Sequence, residues 1–251
     1  MEATLEKLTT GHDNNTSVRG LGDGSVVTEF GAHRGGNRNN TVCFLRLRSL
    51  SDSNQMWTVA TEEASDATGN RIHNTSLGWG GITDGYFTFE PGLWTNEAAW
   101  KIKCDLKRVK GFAPDETITF REVPLGSVGA TNRLGRTLQV NTVSLTLAEV
   151  CRQLPATNSM SWSSADSTRM HLVVNGLTNG LHLDLVSARA DNGTNLDCVS
   201  WSSGGAVRDY FFRNVPTEAR TASFTFAVQS GRWVEFTAKP ETGPARLLRN
   251  H

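Results

Sequence analysis

The chain has 251 residues with a formal net charge of zero, 20% charged and 37% hydrophobic side chains, which excludes a disordered chain and allows one large or two ordinary domains. Without a basic run or a net positive charge, neither nucleic acid nor anionic lipid is expected as a partner. No apolar run approaches the roughly 20 residues of a membrane-spanning helix, so no transmembrane segment is expected.

Met1 runs directly into Glu2-Ala3-Thr4-Leu5, which reads as strand, with no leader pattern ahead of it. The surface composition is rich in Asn, Thr, Ser and Gly and poor in Lys. It suits a secreted or periplasmic protein, and the expected location is extracytoplasmic, with the leader absent from this chain. Four cysteines, an even number, agree with an oxidising compartment without requiring one.

Along the chain, alternation dominates and helical periodicity is nearly absent. Strands are read at 42–47, 57–61, 100–107, 118–120, 143–147, 170–174, 181–186, 224–229 and 234–237. The clearest is Trp100-Lys101-Ile102-Lys103-Cys104-Asp105-Leu106-Lys107, with apolar residues on one face and charges on the other. Asn179-Gly180 reads as a hairpin turn between the strands on either side. Asp66-Ala67-Thr68-Gly69 and Asp191-Asn192-Gly193 read as one turn used twice. The Gly/Asn/Asp/Ser punctuation predicts antiparallel sandwiches rather than βαβ units.

The chain resembles itself at an offset of 124 residues. Residues 57–87 then fall on 181–211 without a gap, placing Val59 on Leu183, Gly69 on Gly193 and Tyr86-Phe87 on Tyr210-Phe211. Further on, Ile102, Cys104 and Leu106 match Phe224, Phe226 and Val228. Ile118-Thr119-Phe120 matches Val234-Glu235-Phe236. The expected fold is all-β, two tandem antiparallel β-sandwich domains from an internal duplication. Copy one is placed at 2–124 and copy two at 137–240. Residues 125–136 are expected as a linker and 241–251 as a flexible tail. Residues 20–38 form an insertion particular to copy one.

Strand count, spacing and alternation across the whole chain resemble immunoglobulin-like and fibronectin-like modules. The chain is also similar to bacterial extracytoplasmic proteins with tandem β-sandwich repeats, a resemblance that implies a fold and no known activity. The Cys…Trp…Cys spacing of antibody domains is not present, so no family motif transfers.

Chemistry is sparse. Cys43 with Cys104, and Cys151 with Cys198, are the bridges the pattern permits; four buried or half-buried thiols are the alternative. No Cys-x-x-Cys or His cluster suggests a metal, and no cofactor is expected. His12, His33, His73, His171, His182 and His251 lie apart from any Gly-x-Ser-x-Gly elbow. Exposed tryptophan can stack on a sugar or anchor a protein, so Trp79, Trp94, Trp162 and Trp201 are the ligand-binding candidates, against the alternative that they cap the cores. The expected function is a non-enzymatic binding or scaffold module for a protein or glycan partner. A carbohydrate-binding module using the loop tryptophans comes second. A hydrolase with its site in the 20–38 insertion comes third. Ligand identity and oligomeric state stay open.

Overall fold

Side-chain alternation becomes strand pairing throughout. The computed structural model describes residues 1–10, 17–20, 26–29, 41–48, 52, 54–79, 84–89, 92–94, 96–152, 168–178 and 180–242. In chain order the strands are β1 (Glu2–Thr10), β2 (Ser17–Gly20), β3 (Val26–Glu29), β4 (Thr41–Arg48), β5 (Met56–Ser65), β6 (Arg71–Trp79), β7 (Asp84–Phe89) and β8 (Trp100–Lys110). The 3-10 turn Pro114–Glu116 precedes β9 (Thr117–Pro124), β10 (Thr131–Val140), β11 (Val143–Arg152), β12 (Thr168–Asn175), β13 (Leu181–Ala190), β14 (Asp197–Gly204), β15 (Val207–Arg213) and β16 (Thr221–Ser230). The chain then forms β17 (Arg232–Ala238) and β18 (Glu241–Thr242). The fold is all-β, as expected, with antiparallel sheets in a sandwich-like arrangement; the two-residue pairing of β18 with β1 is parallel. Among the described residues no helix is long and apolar enough to cross a membrane.

The chain divides into two units, Met1–Gly111 with Gly231–His251, and Phe112–Ser230. In the first, the strand order is β17-β8-β5-β6-β7-β4-β1-β18. β8 is central: Trp100, Ile102, Cys104 and Leu106 are fully buried while Lys101 and Lys103 point to solvent. Its neighbours place Val59 opposite Leu106, Ala64 opposite Ile102, and Phe236 opposite Ile102 on the other side. Cys43, Leu45, Leu47, Phe89 and Leu93 complete that core. β6 is the corner strand, pairing with β5 at 71–73 and with β7 from Asn74 onward.

The second unit has sheets β10-β11-β12-β15-β14 and β13-β16-β9. Phe224, Phe226 and Val228 of β16 are buried. Phe226 meets Phe120 edge-on at 6.2 Å and Tyr210 at 5.5 Å, and Phe212 lies 5.2 Å from Phe224. Each such ring removed from water stabilises by about 2–3 kcal/mol, so this aromatic cluster anchors one sheet on the other.

Four expectations need correction. The 125–136 stretch is no linker: Leu125 is buried in the second core and residues 131–136 open β10. The division falls at Gly111/Phe112 and again at Ser230/Gly231, because β9 pairs with β16 and β17 pairs with β8. Copy limits of 2–124 and 137–240 therefore do not match the folded units. Gly180 does turn the chain, with φ +84°, but no hairpin results: β12 pairs with β11 and β15, and β13 pairs with β16. Asn179 lies outside the described residues. Finally, Glu241–Thr242 of the expected tail forms a short ladder with Thr9 and Thr10; residues 243–251 lie outside the described residues.

The doubled turn is as expected. Asp66 accepts bonds from Thr68 N, Thr68 Oγ1 and Asn70 N at 2.8–2.9 Å, and Gly69 takes φ +92°. In the second unit, Gly193 takes φ +88° and Asp191 Oδ2 accepts from Arg220 N and Thr221 N. Of the matched tyrosines, Tyr86 lies opposite Phe44 on its ladder, with its side chain outside the described residues, and Tyr210 lies opposite Met170 and is buried.

Candidate binding site at the free edges of the second unit

β13 and β14 each end a sheet of the second unit; just ahead of β14, Asn195 bridges Arg189 and Leu196 N donates to the Ala188 carbonyl at 2.9 Å. Among the described residues β14 pairs on one side only, with β15, and the backbone N–H and C=O groups on the other side of such an edge can pair with another strand. All eight residues of β14 are exposed. Its sequence, Asp197-Cys198-Val199-Ser200-Trp201-Ser202-Ser203-Gly204, carries no Lys or Pro, the residues that usually protect an edge.

Trp201 is 61% exposed, the most of any large hydrophobic described. Its register opposite the buried Tyr210 puts it on the core side of the sheet, yet at the rim, where nothing covers it. Arg208, two residue pairs along and on the same face, holds its guanidinium 5.6 Å from the indole, a cation–π contact that fixes ring and cation together. Val199 and Val186 are also exposed, and Leu181, Leu183 and Leu185 of β13 are only partly buried. Burial raises the Tyr210 hydroxyl to about 12, with Arg208 opposing and Asp184 adding to the rise. This phenol is a neutral hydrogen-bonding group at neutral pH. The site offers backbone pairing and apolar contact rather than a reactive group.

The other predicted residues divide as follows. Trp94 is a packed residue: its ring meets Trp100 edge-on at 4.7 Å, and its Nε1 donates to Glu97 at 3.2 Å. The buried Trp100 Nε1 donates back to the Trp94 carbonyl. Trp79 ends β6, with its side chain outside the described residues, as is all of Trp162. All four cysteines are free thiols: Cys43 and Cys104 buried in one core, Cys151 half-buried, Cys198 exposed. His33, in the 20–38 insertion, lies outside the described residues; β3, in that insertion, pairs with β2, which leads into it.

Three features escaped the sequence reading. Trp233 is 51% exposed with Lys103 Nζ 4.4 Å above its ring; its place opposite in phase to Val234 and Phe236 was the available signal. His171 Nδ1 lies 2.8 Å from Asp209 Oδ1, and Arg169 bonds Glu149 at 2.5 Å beside them. Ser202 stands opposite Asp209, not His171, so the order across the sheet is hydroxyl, carboxylate, imidazole. A nucleophile triad needs the imidazole between the other two, and this row is an ion-pair network. Arg152, nearly buried, donates to the carbonyls of Ala219 at 3.1 Å, Gly126, Val215 and Pro216. It staples the loops around a shallow cleft also lined by Ser127, Val128 and Thr217.

Among the described residues no group of three or more His, Cys, Asp and Glu is placed to hold a metal ion. Compared with family models, with curated proteins and with solved structures, the chain matches none.

Proposed function

We propose that the protein is a non-enzymatic binding module that takes an extended segment of a protein partner onto the free edge of β14. One observation carries this reading: a fully exposed, unguarded edge strand with a 61% exposed tryptophan at its centre. Added strands bind through main-chain hydrogen bonds and choose their partner through alternate side chains. Trp201 and Val199 would supply that choice, and an exposed indole with its cation is the kind of anchor on which binding energy concentrates. An extracytoplasmic location rests on surface composition; the four free thiols lend it no support.

The test is a panel of extended peptides and a panel of polysaccharides, read by tryptophan fluorescence and by amide shifts of β14. Peptide binding is expected to perturb 197–204, to weaken at least tenfold in Trp201→Ala, and to be lost in Ser200→Pro. Because Trp201 is exposed, its replacement should change stability by less than about 0.5 kcal/mol. A response to glycans with none to peptides would replace this reading by a sugar-binding one.

A further inference from the structure

The two units share one strand order. Reading β17-β8-β5-β6-β7-β4-β1 in the first against β9-β16-β13 and β14-β15-β12-β11 in the second, each position has its counterpart. The sequence match pairs β5 with β13 and β8 with β16 at these same positions. It also pairs β9 with β17, and here the connectivity departs from a simple tandem arrangement. β9 follows β8 in the chain but completes the second unit, and β17 follows β16 but completes the first.

The two edge ladders are equivalent from Ile102 to Cys104 and from Phe224 to Phe226; beyond Phe224 the second carries a register shift that the first does not. Ile102 stands opposite Phe236 and Cys104 opposite Val234. Phe224 stands opposite Phe120 and Phe226 opposite Ile118. Replacing each residue by its sequence counterpart converts one ladder into the other. The slot beside β8 is therefore built to one register, which two segments of this chain match.

We propose that the two units are copies of one fold that have traded their last strands, and that the slot beside β8 also accepts β17 from a second copy of this chain. Exchange between chains forms the same ladder that the structure shows within one chain, so it loses no contact; this is what makes domain swapping a low-cost route to dimers. β17 is suited to release. Trp233, Glu235 and Thr237 are exposed, and only Val234, Phe236 and Ala238 pack, partly buried, on the first core. The connection to β16 is Gly231 alone, which does not take the positive φ that Gly111 uses after β8. Short hinges of this kind favour exchange over folding back.

The experiment uses the full-length chain carrying Val234→Cys, which faces the native Cys104 across the ladder. Isotopically labelled and unlabelled chains are denatured with reductant, mixed, refolded at increasing concentration and oxidised mildly. Native mass spectrometry and peptide mapping then follow. The expected result is a dimer fraction that rises with refolding concentration, includes labelled–unlabelled pairs, and carries a 104–234 disulfide between chains. Chains that stay monomeric at every concentration overturn the proposal. So does a dimer without that interchain link, which would place the association at another surface such as β14.

Discussion

At the residue scale, the most informative side chain is Glu62. It is 3% exposed and stands opposite Cys104 on the β5–β8 ladder, and burial pushes its carboxyl up to about 7. An unfolded glutamate ionises near roughly 4.3. Below that pH both states hold the proton and the contribution of Glu62 to stability is whole. As pH rises toward 7 the unfolded chain releases its proton while the folded chain keeps it, so stability falls, by on the order of 2–3 kcal/mol, then levels off. Urea unfolding at pH 5 and pH 8 should show this loss, and Glu62→Gln should remove it. Asp66 and Asp191 act with the opposite sign and at lower pH. For Asp66 the desolvation that raises its pKa is outweighed by bonds from Asn70 and Thr68, and backbone N–H of Arg220 and Thr221 lower that of Asp191. Their stabilisation is lost as pH falls through the lowered values.

The thiols belong to the same scale. Burial raises Cys43, and raises Cys104 to about 12 with Glu62 adding to the effect, so both stay protonated and unreactive in the folded protein. A thiol reagent should modify Cys198 first in the native state, and four thiols in unreduced, denatured protein. Two thiols in that denatured count would contradict the structure and restore one bridge, and none would restore both.

At the element scale, β16 carries the second core between β13 and β9. Phe226 is fully buried and touches two other rings, so Phe226→Ala should cost about 3–5 kcal/mol, measured by denaturant midpoint. The same alternation written on β14 gives a different outcome. Its neighbour β15 contributes Tyr210 and Phe212 to the core, whereas β14 itself is wholly exposed because the sheet ends there. Alternation tells which residues share a face; it does not tell whether anything lies beyond the edge.

At the scale of the whole molecule, residues 232–242 hold both edges of the first unit's sheet, β17 on β8 and β18 on β1. A chain ending at Ser230 should lose the packing of Val234 and Phe236, on the order of 2–4 kcal/mol by the burial of two apolar side chains. Thermal unfolding followed at the buried Trp57 and Trp100 should shift down by several degrees, and a peptide of residues 231–242 should recover part of the shift. An unchanged transition would mean that these strands are ornamental to the first unit.

Much of this protein was legible in its sequence, and for identifiable reasons. Period-two patterning determined the all-β class and the buried faces of β8 and β16, because a strand's faces follow from covalent geometry alone. Gly69 and Gly193 set the local conformation of the doubled turn through positive φ, and Asp66 adds short-range bonds from Thr68 and Asn70. What only the tertiary structure decided was pairing. Which strand fills the slot beside β8, whether residues 125–136 link or fold, and how much of Trp201 is left exposed all depend on contacts between residues far apart in the chain. Trp94, 37% exposed, rests against Trp100, while Trp201, 61% exposed, stands at the end of a sheet. That difference is set by where the ladder stops, which no local pattern encodes.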